Sequence, residues 1–134
     1  MIYAYTDGAS RGNPGPGAAA YVLVKDGRKV EEKAFYLGQC TNNEAEYTAV
    51  IRALEAAERM AERDVIVFSD SKLVINQLNG LWAIRNPRMA KLNEEVKSLA
   101  SRFSSVSFQH VRRENPFISL ADRICNELLD EKKA

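Results

Sequence analysis

Residues 2–7 (Ile-Tyr-Ala-Tyr-Thr-Asp) form a run of strand-favouring residues that Gly8 interrupts. The segment from Arg11 to Gly17 holds too much Gly and Pro for a regular element and reads as a tight loop. Two apolar stretches, Ala18–Lys25 and Lys29–Leu37, flank Asp26-Gly27, a strong hairpin signal. The first three elements therefore read as an antiparallel meander. The hydrophobic period then changes. Thr41-Asn42-Asn43-Glu44 has capping-box spacing, and Val50, Ile51, Leu54 and Ala57 continue a helical stripe to about residue 62. Val65–Phe68 is a short strand, and Ser69-Asp70-Ser71 opens a helix reaching Asn79. Asn86-Pro87 starts another helix, over about 88–102, with Met89, Leu92, Val96 and Leu99 on one face. Val106–Val111 is a strand, and a last helix begins at Ser119, or as early as Asn115.

The order is βββαβααβα, without repeat, linker or low-complexity segment, so residues 1–134 read as one domain. Helical crossovers join strands 1, 4 and 5, which favours parallel pairing among them. The expected architecture is a mixed α/β sheet with helices on its faces.

Four acids break this pattern. Asp7 ends the first strand in phase with Tyr3 and Tyr5, and Asp70 ends the fourth in phase with Ile66 and Phe68. Ligands of open α/β sheets gather beyond the carboxyl ends of parallel strands. An Asp at a strand end also starts turns and caps helices, so neither residue is decisive alone. Glu46 shares the stripe of Val50, Ala53 and Ala57, and Asp122 shares that of Cys125 and Leu129. A charge on a core-facing stripe is costly unless something compensates it. Converging carboxylates repel each other, and hard divalent cations relieve that repulsion. Two such ions about 4 Å apart can activate water and stabilise a leaving oxygen in phosphodiester hydrolysis. The residues alone thus point to a metal-dependent phosphoryl-transfer site.

Composition narrows the alternatives. Net charge is +1 from 19 basic and 18 acidic side chains, so any basic surface must be local. One His and two Cys cannot build a multi-histidine or four-cysteine zinc site. Cys40 and Cys125 suit free, buried thiols in a reducing compartment, although one bridge between them is compatible with the sequence. No leader-like N-terminus and no apolar stretch of membrane-spanning length is present, so a cytoplasmic monomer is expected.

In order along the chain, Tyr5-Thr6-Asp7-Gly8-Ala9-Ser10, Gly12-Asn13-Pro14-Gly15-Pro16-Gly17, Thr41-Asn42-Asn43-Glu44-Ala45-Glu46-Tyr47, Ser69-Asp70-Ser71 and Ala121-Asp122 resemble the signatures of type 1 ribonuclease H. The resemblance covers nearly the whole chain and is to the compact form, without the basic protrusion or an N-terminal hybrid-binding domain. It implies a five-stranded ribonuclease H-like sheet of order 3-2-1-4-5, strand 2 antiparallel, with helices on both faces. It also implies endonucleolytic cleavage of RNA in RNA/DNA hybrids, leaving 5′-phosphate and 3′-hydroxyl ends. Asp7, Glu46, Asp70 and Asp122 match the catalytic carboxylates, which would hold two Mg²⁺ ions, with Mn²⁺ as a substitute. Asn13, Asn42 and Asn43 match minor-groove contacts, and Thr41 matches a contact to a DNA phosphate. Gly8, Ser10, Arg11, Ser71, Lys72 and Arg113 complete the expected substrate-binding set. Short amides suit the 2′-hydroxyls and base edges of an A-like minor groove. Thr41 can equally serve as a helix cap.

Three departures stand out. Where many bacterial members carry a His before the last helix, Glu114 occupies the matching place as a possible auxiliary acid or ligand. His110, on the preceding strand, reads as structural. Only Leu81–Arg88 joins the middle helices, and a lone Trp82 there reads more readily as core than as a stacking platform. A non-catalytic hybrid- or double-stranded-RNA-binding module of the same fold is the alternative function. A nuclease that also cuts double-stranded RNA is another.

Overall fold

A computed structural model describes residues 1–133. The strands are β1 (Ile2–Ser10), β2 (Gly15–Lys25), β3 (Arg28–Cys40), β4 (Asp64–Ser69) and β5 (Ser105–His110). The helices are α1 (Asn42–Arg59), α2 (Lys72–Leu78), α3 (Pro87–Ala100) and α4 (Pro116–Lys133). The strands form one sheet of order β3-β2-β1-β4-β5. β2 is antiparallel to both its neighbours, whereas β1, β4 and β5 run parallel, as the crossovers require. Asp26 and Gly27 turn the β2–β3 hairpin with φ of 53° and 76°, the positive values a tight two-residue hairpin needs.

Strand alternation divides the core between the two sheet faces. Ile2, Ala4, Tyr21, Leu23, Val65 and Val67 point to the side covered by α1, α2 and α3. Tyr5, Ala18, Ala20, Val22 and Val24 point to the other, where Ile118, Ala121, Cys125 and Leu129 of α4 close it. Capping residues set where the helices start. Thr41 and Glu44 form the reciprocal capping box of α1, Ser71 caps α2, and Asn86 precedes Pro87 at the head of α3. The side chain of Asn115 accepts from the amides of Phe117 and Ile118, so α4 starts at Pro116 rather than Ser119.

Several expectations are corrected. β1 continues through Gly8 to Ser10 because β2 starts already at Gly15, pairing Gly8 with Ala19, Ala9 with Ala18 and Ser10 with Gly17. The loop shrinks to residues 11–14, and its last glycines lie inside a strand. Gly17 is there for closeness, since a Cβ would lie 2.2 Å from the sulfur of Cys40. Trp82 is not core. It is 49% exposed, because the chain leaves α2 through Gly80 (φ 74°) and runs over the surface, while Ile84 supplies the connection's contact with the core. His110 is exposed rather than structural, since it ends an edge strand whose one fully buried side chain is Phe108. Cys40 and Cys125 are both buried and free, one at the end of β3 and the other beneath β1 on α4.

Candidate active site

The sheet brings the ends of β1 and β4 together. Tyr5 pairs with Phe68 and Thr6 with Ser69 in parallel register, so Asp7 and Asp70 follow at neighbouring positions. The Thr6 hydroxyl donates to the Phe68 carbonyl over 2.9 Å, fastening the two strands one step before the acids. On the opposite face the first turns of α1 lie against β1 at Gly8, where a Cβ would sit 2.3 Å from the backbone carbon of Ala45. Only glycine permits that approach. The Gly8 amide then donates to Glu46 Oε1 at 2.7 Å, which aims the carboxylate past the edge of β1 towards Asp7. From the other layer α4 contributes Asp122, whose charge acts on Asp7, while the Cys125 thiol donates to the Asp7 carbonyl over 3.7 Å.

The outcome is a cavity of about 400 Å³ lined by Asp7, Gly8, Ala9, Asn42, Glu46, Asp70, Ser71, Arg113 and Asp122. One carboxylate oxygen from each of Asp7, Glu46 and Asp70 lies within 4.8 Å of the others, and Asp122 stands at the exposed rim. Three of the acids thus converge, and Asp122 lines the same cavity.

Their electrostatics match the crowding. Burial, then the charges of Asp70 and Asp122, push the Asp7 carboxyl up to about 8. Glu46 is held well above the usual carboxylate range by burial and by Asp7 and Asp70, against the Gly8 amide, which lowers it. Asp70 is raised chiefly by burial, with Arg113 and His110 opposing. A multivalent cation would relieve the repulsion in such a cluster. Oxygen donors alone, without Cys or His among the three converging ligands, fit a hard ion such as Mg²⁺ or Mn²⁺ better than zinc.

The other expected site residues divide. The Asn42 amide donates to Asn13 Oδ1 at 3.0 Å, which joins the β1–β2 loop to the head of α1 with Asn43 alongside. The Thr41 hydroxyl accepts from the Glu44 amide at 3.1 Å, so it does cap α1. Ser71 lines the pocket while capping α2. Ser10 does not line it, and its buried hydroxyl oxygen has no hydrogen-bond partner. Arg11 turns away entirely. It pairs with Asp130 at 2.7 Å and with the Asn126 carbonyl at 3.2 Å, both on α4. Lys72 and Glu114 lie outside the carboxylate pocket, in an adjoining hollow that also contains His110, Arg112 and Arg113. One contact escaped the sequence reading. Arg88 reaches from α3 to Glu44 over 2.8 Å, and no local spacing could reveal a pair 44 residues apart.

Known proteins resemble the chain in sequence and in fold. A family profile described as reverse transcriptase-like matches residues 5–127. Ribonuclease HI of Halobacterium salinarum is 43% identical over 131 residues, 97% of this chain and 65% of that protein. A ribonuclease H of Chlorobium luteolum is 31% identical over 98% of this chain and 97% of its own length. The chain belongs to the type 1 ribonuclease H family. The crystal structure of RNase H1 from Halobacterium salinarum superposes with a TM-score of 0.94 over 97% of this chain and 98% of that one. LC11-RNase H1, solved in complex with an RNA/DNA hybrid, gives 0.93 at 31% identity over the full length of both. This chain spans about two thirds of the halobacterial ribonuclease HI. In this chain α2 passes to α3 through residues 79–86 with no intervening helix.

Proposed function

We propose that this ribonuclease H, as one catalytic domain over residues 1–134, is an endonuclease hydrolysing the RNA strand of RNA/DNA hybrids. The observation that carries this reading is the convergence of Asp7, Glu46 and Asp70 within 4.8 Å, beside Asp122 and the Asn13–Asn42 contact. The solved LC11 complex supports the substrate class. A purely binding module gains nothing from clustered acids next to phosphates, which sets the non-catalytic alternative aside.

Asp7, Glu46, Asp70 and Asp122 would hold two Mg²⁺ ions, and Mn²⁺ can replace them. Such ions would supply a lowered pKa for water, so that hydroxide is available at neutral pH, and positive charge beside the departing 3′ oxygen. The chain supplies placement. Asp7 would be shared centrally, since it lies beside Glu46 and Asp70 and the charge of Asp122 acts on it. Glu46 is locked by the Gly8 amide, and Asp70 lines the pocket with Arg113. Asn13, Asn42 and Asn43 present amides to the minor groove, where 2′-hydroxyls identify the RNA strand. Cleavage leaves 5′-phosphate and 3′-hydroxyl ends. We assign the protein to removal of RNA primers and R-loops in the cytoplasm, acting as a monomer; no described helix is long and apolar enough to cross a membrane.

The test is one labelled RNA strand, paired with DNA, paired with RNA or single, incubated with Mg²⁺, Mn²⁺ or EDTA. Hybrid cleavage that EDTA abolishes is expected, and Asp70→Asn should bind the hybrid without cutting it. Binding with no product under either metal overturns the proposal. Cleavage of the RNA duplex as well would widen the substrate range.

A further inference from the structure

A second cavity adjoins the carboxylate pocket, and the chemistry above leaves most of it unused. It measures about 550 Å³ and is lined by Asp70, Lys72, His110, Arg112, Arg113 and Glu114. Asp70 and Arg113 also line the carboxylate pocket, so the two hollows share a wall. The topology explains the neighbourhood. β4 and β5 run parallel with Ser69 opposite His110, and both strands end on the same rim. Lys72 starts α2 just beyond β4, and residues 111–115 lead from β5 into α4.

The balance of charge reverses across Asp70. The carboxylate pocket holds four acids and one cation, Arg113. The adjoining cavity holds three cations against two acids, with the ring nitrogens of His110 in addition. Lys72, His110, Arg112 and Arg113 are all exposed, and none of them forms an ion pair with a described residue. Cations that stabilise a fold are tied to partners, as Arg11 and Arg88 are here. Unpaired donors converging beside a phosphodiester-cleaving pocket are matched instead to a further phosphate. The hollow opens from the pocket through Asp70, on the β5 side, whereas Asn13 and Asn42 stand with β1 and α1. The two cavities share Asp70 and Arg113, so a strand with a phosphate at the carboxylates has room to continue into the second one.

We propose that Lys72, His110 and Arg112 form a subsite for an RNA-strand phosphate one or two nucleotides from the scissile bond, with Arg113 on the wall shared with the cleavage pocket. The inference rests on hybrid cleavage as proposed above. It gives His110 and Arg112 a defined place in gripping the strand being cut.

The experiment combines substitution with phosphate neutralisation. An uncleavable hybrid with a 2′-O-methyl RNA strand is prepared with single methylphosphonates at successive RNA positions. Its affinity for the wild-type chain, Arg112→Ala, His110→Ala and Arg112→Lys is measured in Mg²⁺ at several salt concentrations. One flanking methylphosphonate should weaken wild-type binding roughly fivefold to tenfold and leave Arg112→Ala, already weaker, unaffected. The slope of log affinity against log salt should fall by about one for Arg112→Ala and recover in Arg112→Lys. Because these side chains are exposed, melting curves should be unchanged, which separates lost contact from lost fold. Additive effects at every RNA position, in a wild-type chain that still cuts hybrid, overturn the subsite alone. A wild-type chain that neither binds nor cuts hybrid overturns the underlying activity.

Discussion

Asp7→Asn should make the metal-free protein more stable while abolishing cleavage. Asp7 is 6% exposed, and its carboxyl lies at about 8 against an ordinary 3.8. Between these values the folded protein keeps a proton that the unfolded chain releases, so raising pH through this window removes stability. Below about pH 4 both states are protonated and the contribution is absent. Above about pH 8 both are ionised and the full penalty applies. At about 1.4 kcal/mol per pH unit the gross penalty is about 6 kcal/mol. Relaxation of the pocket and entry of water should leave about 2–3 kcal/mol of it measurable. Asn keeps the shape and an acceptor oxygen but carries no charge. In EDTA at pH 8 the variant should therefore melt roughly 10 °C above wild type, a gain that fades towards pH 4. Adding Mg²⁺ should narrow the difference, because ions that bind the folded wild type stabilise it by mass action. Thermal and urea unfolding followed by far-UV circular dichroism from pH 4 to 9 reads all of this. A variant no more stable than wild type at pH 8, or a gain independent of pH, refutes the electrostatic account.

Other consequences are simpler to check. Gly8→Ala would put a methyl group 2.3 Å from the backbone of Ala45, so α1 must retreat by about 1 Å, the scale at which catalytic geometry costs about a hundredfold. Its kcat on hybrid should fall by at least that factor while circular dichroism still shows a folded protein. Thr41→Ala removes the hydroxyl that caps α1 and should cost about 1 kcal/mol in urea unfolding, whereas Thr41→Ser should retain most of it. Burial raises both thiols above their ordinary range, so Cys40 and Cys125 should react slowly with a disulfide reagent in the native state. In urea without reductant both should titrate; a missing pair would reveal a bridge.

What could be read from the chain alone follows the range of the underlying physics. Capping, hairpin chemistry and periodicity act within a few residues, so Thr41, Asp26-Gly27 and the helical stripes declared their elements directly. The carboxylates were legible because charge on a core-facing stripe is a local contradiction that only a site resolves. Features set by distant partners were not. Gly8 and Gly17 look like strand breakers in sequence, but β1 and β2 run straight through them, since each glycine answers to close packing against another element. Trp82 and His110 looked buried because apolar and in-phase residues usually are, and their exposure follows from a surface crossing and an edge strand. Arg11 sits amid the loop motif but is captured by Asp130, which lies 119 positions later.

The same long-range packing accounts for how an unfavourable cluster persists in the fold. A flexible loop bearing four acids would relieve their repulsion by moving apart. Here the elements that carry the acids are fixed by contacts made largely by other residues. Thr6 ties β1 to β4, the Gly8 approach seats α1, and Ile118, Ala121 and Cys125 anchor α4 against β1 and β2. Separating the carboxylates would mean breaking the sheet or unpacking a helix on either face. The packing therefore holds the acids where a bound cation would offset their repulsion, at the strand ends.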